Sequence, residues 1–405
     1  MNIAVAQSGG PTCAINASLL GVIKEGLKSC DIETVFGSVN GIEGIINNNL
    51  VDLKALFESG EDMELLRQTP STALGSCRYK LPDEDKNPET YTKITECFDK
   101  HNIKAFFYIG GNDSMDTVNK LSKYFKKINK DIKVIGVPKT IDNDLCNTDH
   151  TPGFGSAAKY VATTLQEVVR DSSVYDLKSV TIVEIMGRHA GWLAASSCIL
   201  HANGEAAPHL IYLPECEFSV EGFLNDVAEK LKTYKSVIVA ISEGITLAKP
   251  EEVAVHQADG FGHVALSGVG KELEKIVAQK FSVKVRSIEL NVLQRCAAHI
   301  TSLTDINEAE EIGSAAVKAA LEGKTGKMMA FHRVSDAPYS IIIEPVDTDN
   351  VANNEQFFPK KWINEEQNNV LDDALNYFLP LIEGEQVLKT KNGLPIHYKI
   401  QNILD

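Results

Sequence analysis

Short apolar runs, each closed by Gly, Pro or a charged residue, recur along the chain and alternate with stretches of helical period. Ile3–Ala6, Ala105–Ile109, Val134–Val137, Val180–Ile185 and Val237–Ile241 read as largely apolar, buried strands, and Ile32–Phe36 as a further strand. Between them, Ile15, Leu19, Ile23 and Leu27 repeat at helical spacing, as do Met115, Val118, Leu121, Phe125 and Ile128. A third helix is expected through Tyr160, Val161, Leu165 and Val168, and a fourth over Thr90–His101. Tyr339–Glu344 is the last predicted strand. The stretch beyond it, with Phe357, Trp362, Leu371, Leu375 and Leu379, is expected to be loop and helix. Strand–helix alternation of this kind predicts an α/β protein with doubly wound parallel sheets.

Five of these strands end in a Gly-rich or charged tip: Gly10, Gly111, Asp142, Arg188 and Glu243. Ligands of open α/β sheets sit beyond the carboxyl ends of the strands, so the five tips together mark a binding site. Ser8-Gly9-Gly10-Pro11 is expected to open a helix, with Pro11 in its first turn. Gly110-Gly111-Asn112-Asp113-Ser114 offers close backbone approach followed by helix-capping residues. Pro138-Lys139-Thr140-Ile141-Asp142-Asn143-Asp144 brings a cation and two acids two residues apart. An extended Ile141–Asp144 would point both carboxylates to one side. An anion cradle, a cation, a base and a metal site are the equipment of phosphoryl transfer. Thr72–Arg78 is a glycine-containing loop ending in a cation. Lys284, Arg286, Gln294 and Arg295 return positive charge late in the chain, and His299 and Trp192 are expected to pack.

At 405 residues the chain exceeds one ordinary domain, and its hydrophobic fraction of 43% provides a large core. The formal net charge of −15 disfavours nucleic-acid or anionic-membrane partners. An anionic small substrate therefore needs a local cluster of Lys and Arg. Eight scattered cysteines without metal-ligand spacing read as reduced thiols. The N-terminus lacks a basic leader and no apolar run is long enough to span a bilayer, so a cytoplasmic location is expected. No internal repeat, low-complexity linker or clean domain boundary is visible.

Gly9-Gly10, Gly75–Arg78, Gly110–Ser114, Pro138–Asp144, Met186-Gly187-Arg188, Ser242-Glu243-Gly244 and Gln294-Arg295 follow one another with the order and spacing of the phosphofructokinase family, which the chain resembles to about residue 330. The resemblance implies two doubly wound Rossmann-like domains with the active site in the cleft between them. The larger would comprise 1–155 plus about 296–345, the smaller 156–295, with 346–405 as a capping extension. ATP-using members carry Gly where this chain has Asp113 and Lys139. An anion at 113 stands where a nucleotide α-phosphate would lie, and a cation at 139 suits the leaving phosphate of a short donor. Both changes resemble the diphosphate-dependent branch.

That branch implies phosphoryl transfer from diphosphate to the 1-hydroxyl of fructose 6-phosphate, reversible and Mg²⁺-dependent, as a step of glycolysis or gluconeogenesis. By resemblance, Asp142 is the base, Lys139 stabilises the transition state, and Asp113 excludes nucleotide. Gly10, Arg78 and Gly111 hold diphosphate. Thr140, Ile141, Met186, Gly187, Arg188, Glu243 and Arg295 line the sugar-phosphate site, with Arg286 reaching over from a neighbouring subunit of a homo-oligomer, a dimer being favoured. Asn112 and Asp144 are the metal candidates. Asn112 stands where many members have a metal-binding acid, and Val292 where relatives carry His or Tyr facing the sugar phosphate. Ser179 replaces an interface Arg of bacterial ATP-using members, which argues against allosteric control. The rival readings are an ATP-dependent enzyme, a non-catalytic sugar-phosphate-binding regulatory subunit, and the same chemistry on another acceptor such as a seven-carbon sugar phosphate.

Overall fold

A computed structural model of the protein describes residues 1–57, 60–247 and 268–399. Parts of the smaller expected domain (248–267) and the end of the expected extension (400–405) lie outside the described residues. The strands are β1 Asn2–Gln7, β2 Thr34–Ser38, β3 Leu50–Asp52, β4 Ile103–Gly110, β5 Lys133–Pro138, β6 Ser179–Ile185, β7 Leu210–Tyr212, β8 Ser236–Ser242, β9 Lys284–Glu289, β10 Lys327–Asp336 and β11 Tyr339–Asp347.

Seven of them form one sheet in the order β11-β10-β5-β4-β1-β2-β3, and four form a second in the order β7-β8-β6-β9. The second sheet is parallel throughout. The first is parallel at its centre, but β3 and β11 join its edges antiparallel. An edge strand needs only one partner and can arrive by a hairpin, which is how β11 follows β10. The sequence reading recognised β11 and passed over β10, whose outer half alternates between part-buried and exposed positions. The order in which strands are added reverses about β1, with β2 laid on one side and β4 on the other, so a crevice opens at the carboxyl ends of β1 and β4.

The helix after β1 begins at Ile15, not at Pro11. Gly9 has φ +72°, which sends residues 9–12 across the sheet end as an open loop, and the Thr12 hydroxyl caps the Ile15 N–H at 3.0 Å. Helix Ile15–Lys28 then buries its Ile15, Leu19 and Ile23 stripe against β1 and β2. Its other side meets helix Leu303–Leu321 with almost no side chain between them. A Cβ on Gly21 would stand 2.0 Å from the Glu310 carbonyl oxygen, and one on Gly313 would stand 2.1 Å from that of Ser18. The two glycines set how deep the helix, and thus the loop at its start, sits on the sheet.

Residues beyond β11 form short helical turns, irregular strap and a two-stranded hairpin of Thr390–Lys391 with Leu394–Pro395 rather than an independent unit. Phe358, Tyr377, Phe378 and Leu381 are buried in the same cluster as Trp192 and helix Phe154–Ser172. Trp192 is a packing residue, as expected; His299 is exposed instead.

Gly21→Ala should lower the unfolding free energy by about 1–3 kcal/mol, the usual cost of overpacking where backbone cannot retreat. The denaturant midpoint should fall with its slope unchanged.

Candidate active site

The five strand tips converge on one cleft with a cavity volume of about 240 Å³. At the β1 tip, Gly9 is pinned through both its backbone groups. Its N–H donates to Cys77 O at 3.2 Å, and its carbonyl accepts from the Ser76 hydroxyl at 2.7 Å. These bonds carry the Thr72–Arg78 loop to the cleft mouth, where Arg78 joins the lining. Gly10 faces the cavity, and a Cβ there would meet Arg295 Nη1 at 3.1 Å.

At the β4 tip, Gly110 admits no side chain, because the Ser8 and Ser114 hydroxyls bond each other at 2.6 Å across it. Gly111 then starts helix Asn112–Lys127 with Asn112, Asp113 and Ser114 at the cleft. Asp113 occupies the first turn, where the helix end favours negative charge, and pairs with Lys80 at 3.5 Å.

Lys139 follows β5 and is 3% exposed; its Nζ donates to the Gly10 carbonyl at 2.6 Å. Thr140, Ile141, Asp142 and Asp144 all line the cleft, but not on an extended segment. The chain bends here. Asn143 adopts a left-handed φ of +56°, and the Thr140 hydroxyl accepts the Asp142 N–H at 3.1 Å. Asx side chains that bond locally tolerate this conformation, and the bend, not strand alternation, brings the carboxylates together.

The second sheet supplies the opposite wall. Met186 and Arg188 follow β6, Glu243 follows β8, and Arg295 sits on the short helix Leu293–Cys296. Gly187 lies behind this wall. Its N–H donates to Glu243 Oε1 at 3.4 Å and its carbonyl accepts from the Ser242 hydroxyl at 2.5 Å. Arg286 is outside the cleft, paired with Asp171 at 3.1 Å.

Sequence reasoning missed Thr12, His189 and above all Glu355 as site residues, which also line the cavity with Ser114 of the Gly110–Ser114 stretch. Glu355 comes from the C-terminal strap. Gln356 N–H donates to the Asp144 carbonyl at 2.7 Å, so the strap runs beside the acidic bend and sets Glu355 against His189 at 3.0 Å. Nothing in the local sequence around Glu355 signals this.

Charge is concentrated here. Burial pushes the Lys139 ammonium down to about 8, with Asp142 resisting and Arg295 adding to the fall. Burial also raises the Asp142 carboxyl, against the pull of Arg188, Lys139 and Arg295. Asp144 is pushed up to about 7 by burial and by Asp142, and Glu243 to about 7 by burial and then Asp142. At Arg78 partial burial lowers the guanidinium, with repulsion from Arg295 and Arg188 adding to it. Cations that repel one another across a cleft suit a polyanion. Carboxylates whose values burial raises toward neutral pH suit proton transfer.

A hard cation fits the oxygen donors of Asp144, though among the described residues no three acidic, His or Cys groups are spaced to hold a metal. Asn112 is largely committed elsewhere. Its Oδ1 accepts from Asn353 N–H and its Nδ2 donates to Asn354 O, both at 2.5 Å.

A family model described as phosphofructokinase matches residues 2–320. The pyrophosphate–fructose 6-phosphate 1-phosphotransferase of Halomonas elongata is 39% identical over 398 residues, covering 97% of this chain and 94% of its own. The protein of the same name from Xanthomonas campestris is 40% identical, covering 99% and 96%. A crystal structure of pyrophosphate-dependent phosphofructokinase from Marinobacter aquaeolei superposes with a TM-score of 0.88 at 38% identity, covering 99% of this chain and 96% of that one.

Asp144→Asn should stabilise the ligand-free protein at pH 8. A carboxyl whose folded value is raised binds its proton more tightly when folded, so its cost is fully present above about pH 7 and vanishes as pH falls below 4. The gain in melting temperature should therefore shrink steadily from pH 8 to pH 4, from at most a few kcal/mol in free energy.

Proposed function

The chain belongs to the phosphofructokinase family, and on that premise we propose that it transfers a phosphoryl group from diphosphate to the 1-hydroxyl of fructose 6-phosphate, giving fructose 1,6-bisphosphate and orthophosphate. The carrying observation is the exchange of charge at two strand tips: a carboxylate, Asp113, in the first turn of the helix facing the cleft, and a buried ammonium, Lys139, on the Gly10 carbonyl. Helix N-termini attract phosphate. Here the helix supplies its own anion, so a donor with a third phosphate would meet a carboxylate where its own charge must go. Diphosphate ends before that point.

In this reading diphosphate lies between Gly10, Gly111 and Arg78, with its leaving oxygen on Lys139. At neutral pH Lys139 is mostly protonated, and the arriving anion reinforces its charge. Asp142 accepts the proton of the attacking hydroxyl, its basicity raised by burial. Arg188, Arg295, Glu243 and Met186 hold the sugar phosphate from the second sheet, with Thr140 and Ile141 beneath it. Mg²⁺ would be held by Asp144, by diphosphate oxygens and by the lone pair Asn112 Oδ1 retains; bound there, it would neutralise charge on the transferring group. The reaction exchanges one anhydride for one ester and runs in either direction.

The sheets suggest the division 1–155 with about 296–345 against 156–295, with the described part of the extension, to residue 399, running over both. We read Arg286, which pairs with Asp171 outside its own cleft, as serving a second copy in a homodimer. No helix among the described residues is long and apolar enough to cross a membrane; we infer a cytoplasmic enzyme.

The test is steady-state turnover with fructose 6-phosphate and either diphosphate or ATP, with and without Mg²⁺. Turnover with diphosphate alone is expected; equal use of ATP would overturn the donor assignment. Asp142→Asn should lose kcat by about three orders of magnitude or more while fructose 6-phosphate still binds. A regulatory subunit would be indifferent to that change. Asp113→Gly should raise kcat/KM for ATP measurably above the wild-type background.

A further inference from the structure

We propose that Tyr377 is a positioning residue for the reaction, fixing the Asp142 and Asp144 carboxylates through the side chain of Asn143. The inference rests on the reading of Asp142 as base. Tyr377 does not line the cleft; it comes from the C-terminal strap, on the short helix Leu375–Phe378.

Asn143 lies between the two acids and is 1% exposed. Its left-handed backbone is a conformation that most residues leave readily, so something must hold it. Its Oδ1 accepts from the Thr151 N–H at 3.0 Å, and its Nδ2 donates to the Tyr377 hydroxyl at 2.8 Å. The same hydroxyl donates onward to the Asp149 carbonyl at 2.7 Å. One phenolic oxygen thus uses its donor and an acceptor position to tie the middle of the Thr140–Thr151 segment to its far end. A segment closed on itself in this way has one arrangement of the acids rather than several.

The phenol is itself immobile. Its ring centroid lies 5.2 Å from that of Trp192, 5.5 Å from Trp362 and 5.3 Å from Phe378. The Arg333 guanidinium stands 4.6 Å over the ring and bonds Asp149 Oδ2 through Nη2 at 2.9 Å. Asp149 in turn meets His150 Nδ1 at 2.8 Å, whose Nε2 meets Glu308 at 2.7 Å. The hydroxyl therefore transmits the position of a buried ionic network to the bend. Loss of the oxygen leaves the ring packed and releases only the bend.

Tyr377→Phe in the full chain should lower kcat by about ten- to a hundredfold with KM for both substrates held within about threefold, the pattern of a misplaced catalytic group. Trp362→Phe, in the same aromatic cluster but without contact to the bend, should lose stability and keep kcat. Asn143→Gly retains the left-handed backbone without its tether, should show the same kcat loss, and decides the matter if Tyr377→Phe fails to fold. Unchanged kcat in the folded variant, a loss confined to KM, or an equal kcat loss in Trp362→Phe would each overturn the proposal. A crystal structure of Tyr377→Phe separates it from the reaction assignment: a displaced Asp142–Asp144 bend supports the role and an undisturbed one refutes it, whatever the donor.

Discussion

One buried ammonium holds the cleft in shape. Lys139 reaches from the end of β5 past β4 to the Gly10 carbonyl beyond β1, so its single hydrogen bond spans the switch point of the larger sheet. Burying a cation costs several kcal/mol unless opposite charge or good hydrogen bonding offsets it. Asp142 and Asp144 supply that charge, and are themselves held away from ordinary acidity by burial. Cation and carboxylates thus offset one another in part, and each stays shifted from its ordinary value. Buried charge that the fold offsets only in part is the common trade of stability for function.

The C-terminal strap makes this balance possible. It bonds to the backbone of Asp144 through Gln356, to Asn112 through residues 353–354, to His189 through Glu355, and to Asn143 through Tyr377. Trp192 Nε1 donates to the Gln356 carbonyl at 2.9 Å, and Phe358 N–H to Glu215 Oε1 at 2.8 Å, so elements next to β6 and β7 grip the same strap. It therefore touches the acid-bearing tip of the first sheet and the wall of the second at once. The geometry of the cleft is thus coupled to a segment of short helical turns and irregular backbone.

Much of this is legible in the sequence. Gly10, Gly111, Asp142, Arg188 and Glu243 were found as a set because each ends a buried strand, and such ends share one side of a sheet. Local periodicity failed where the chain stops being periodic. Pro11 has the right chemistry for a first helical turn, yet the left-handed Gly9 delays the helix to Ile15. The two acids were expected to share a face by strand alternation, and they meet because Asn143 reverses the chain. Asn112 reads as a metal candidate by position, while most of its hydrogen-bonding capacity goes to the strap.

By itself the sequence determined the class of fold, the order of the tips and the sign of the charge at each, since these depend on local hydrophobic pattern and residue identity. Only the tertiary structure decided that Glu355 and Tyr377 belong with them. Both lie more than two hundred residues from the bend they serve, on a segment of irregular backbone. Their role follows from hydrogen bonds between chain-distant groups, and no window of sequence contains such a bond.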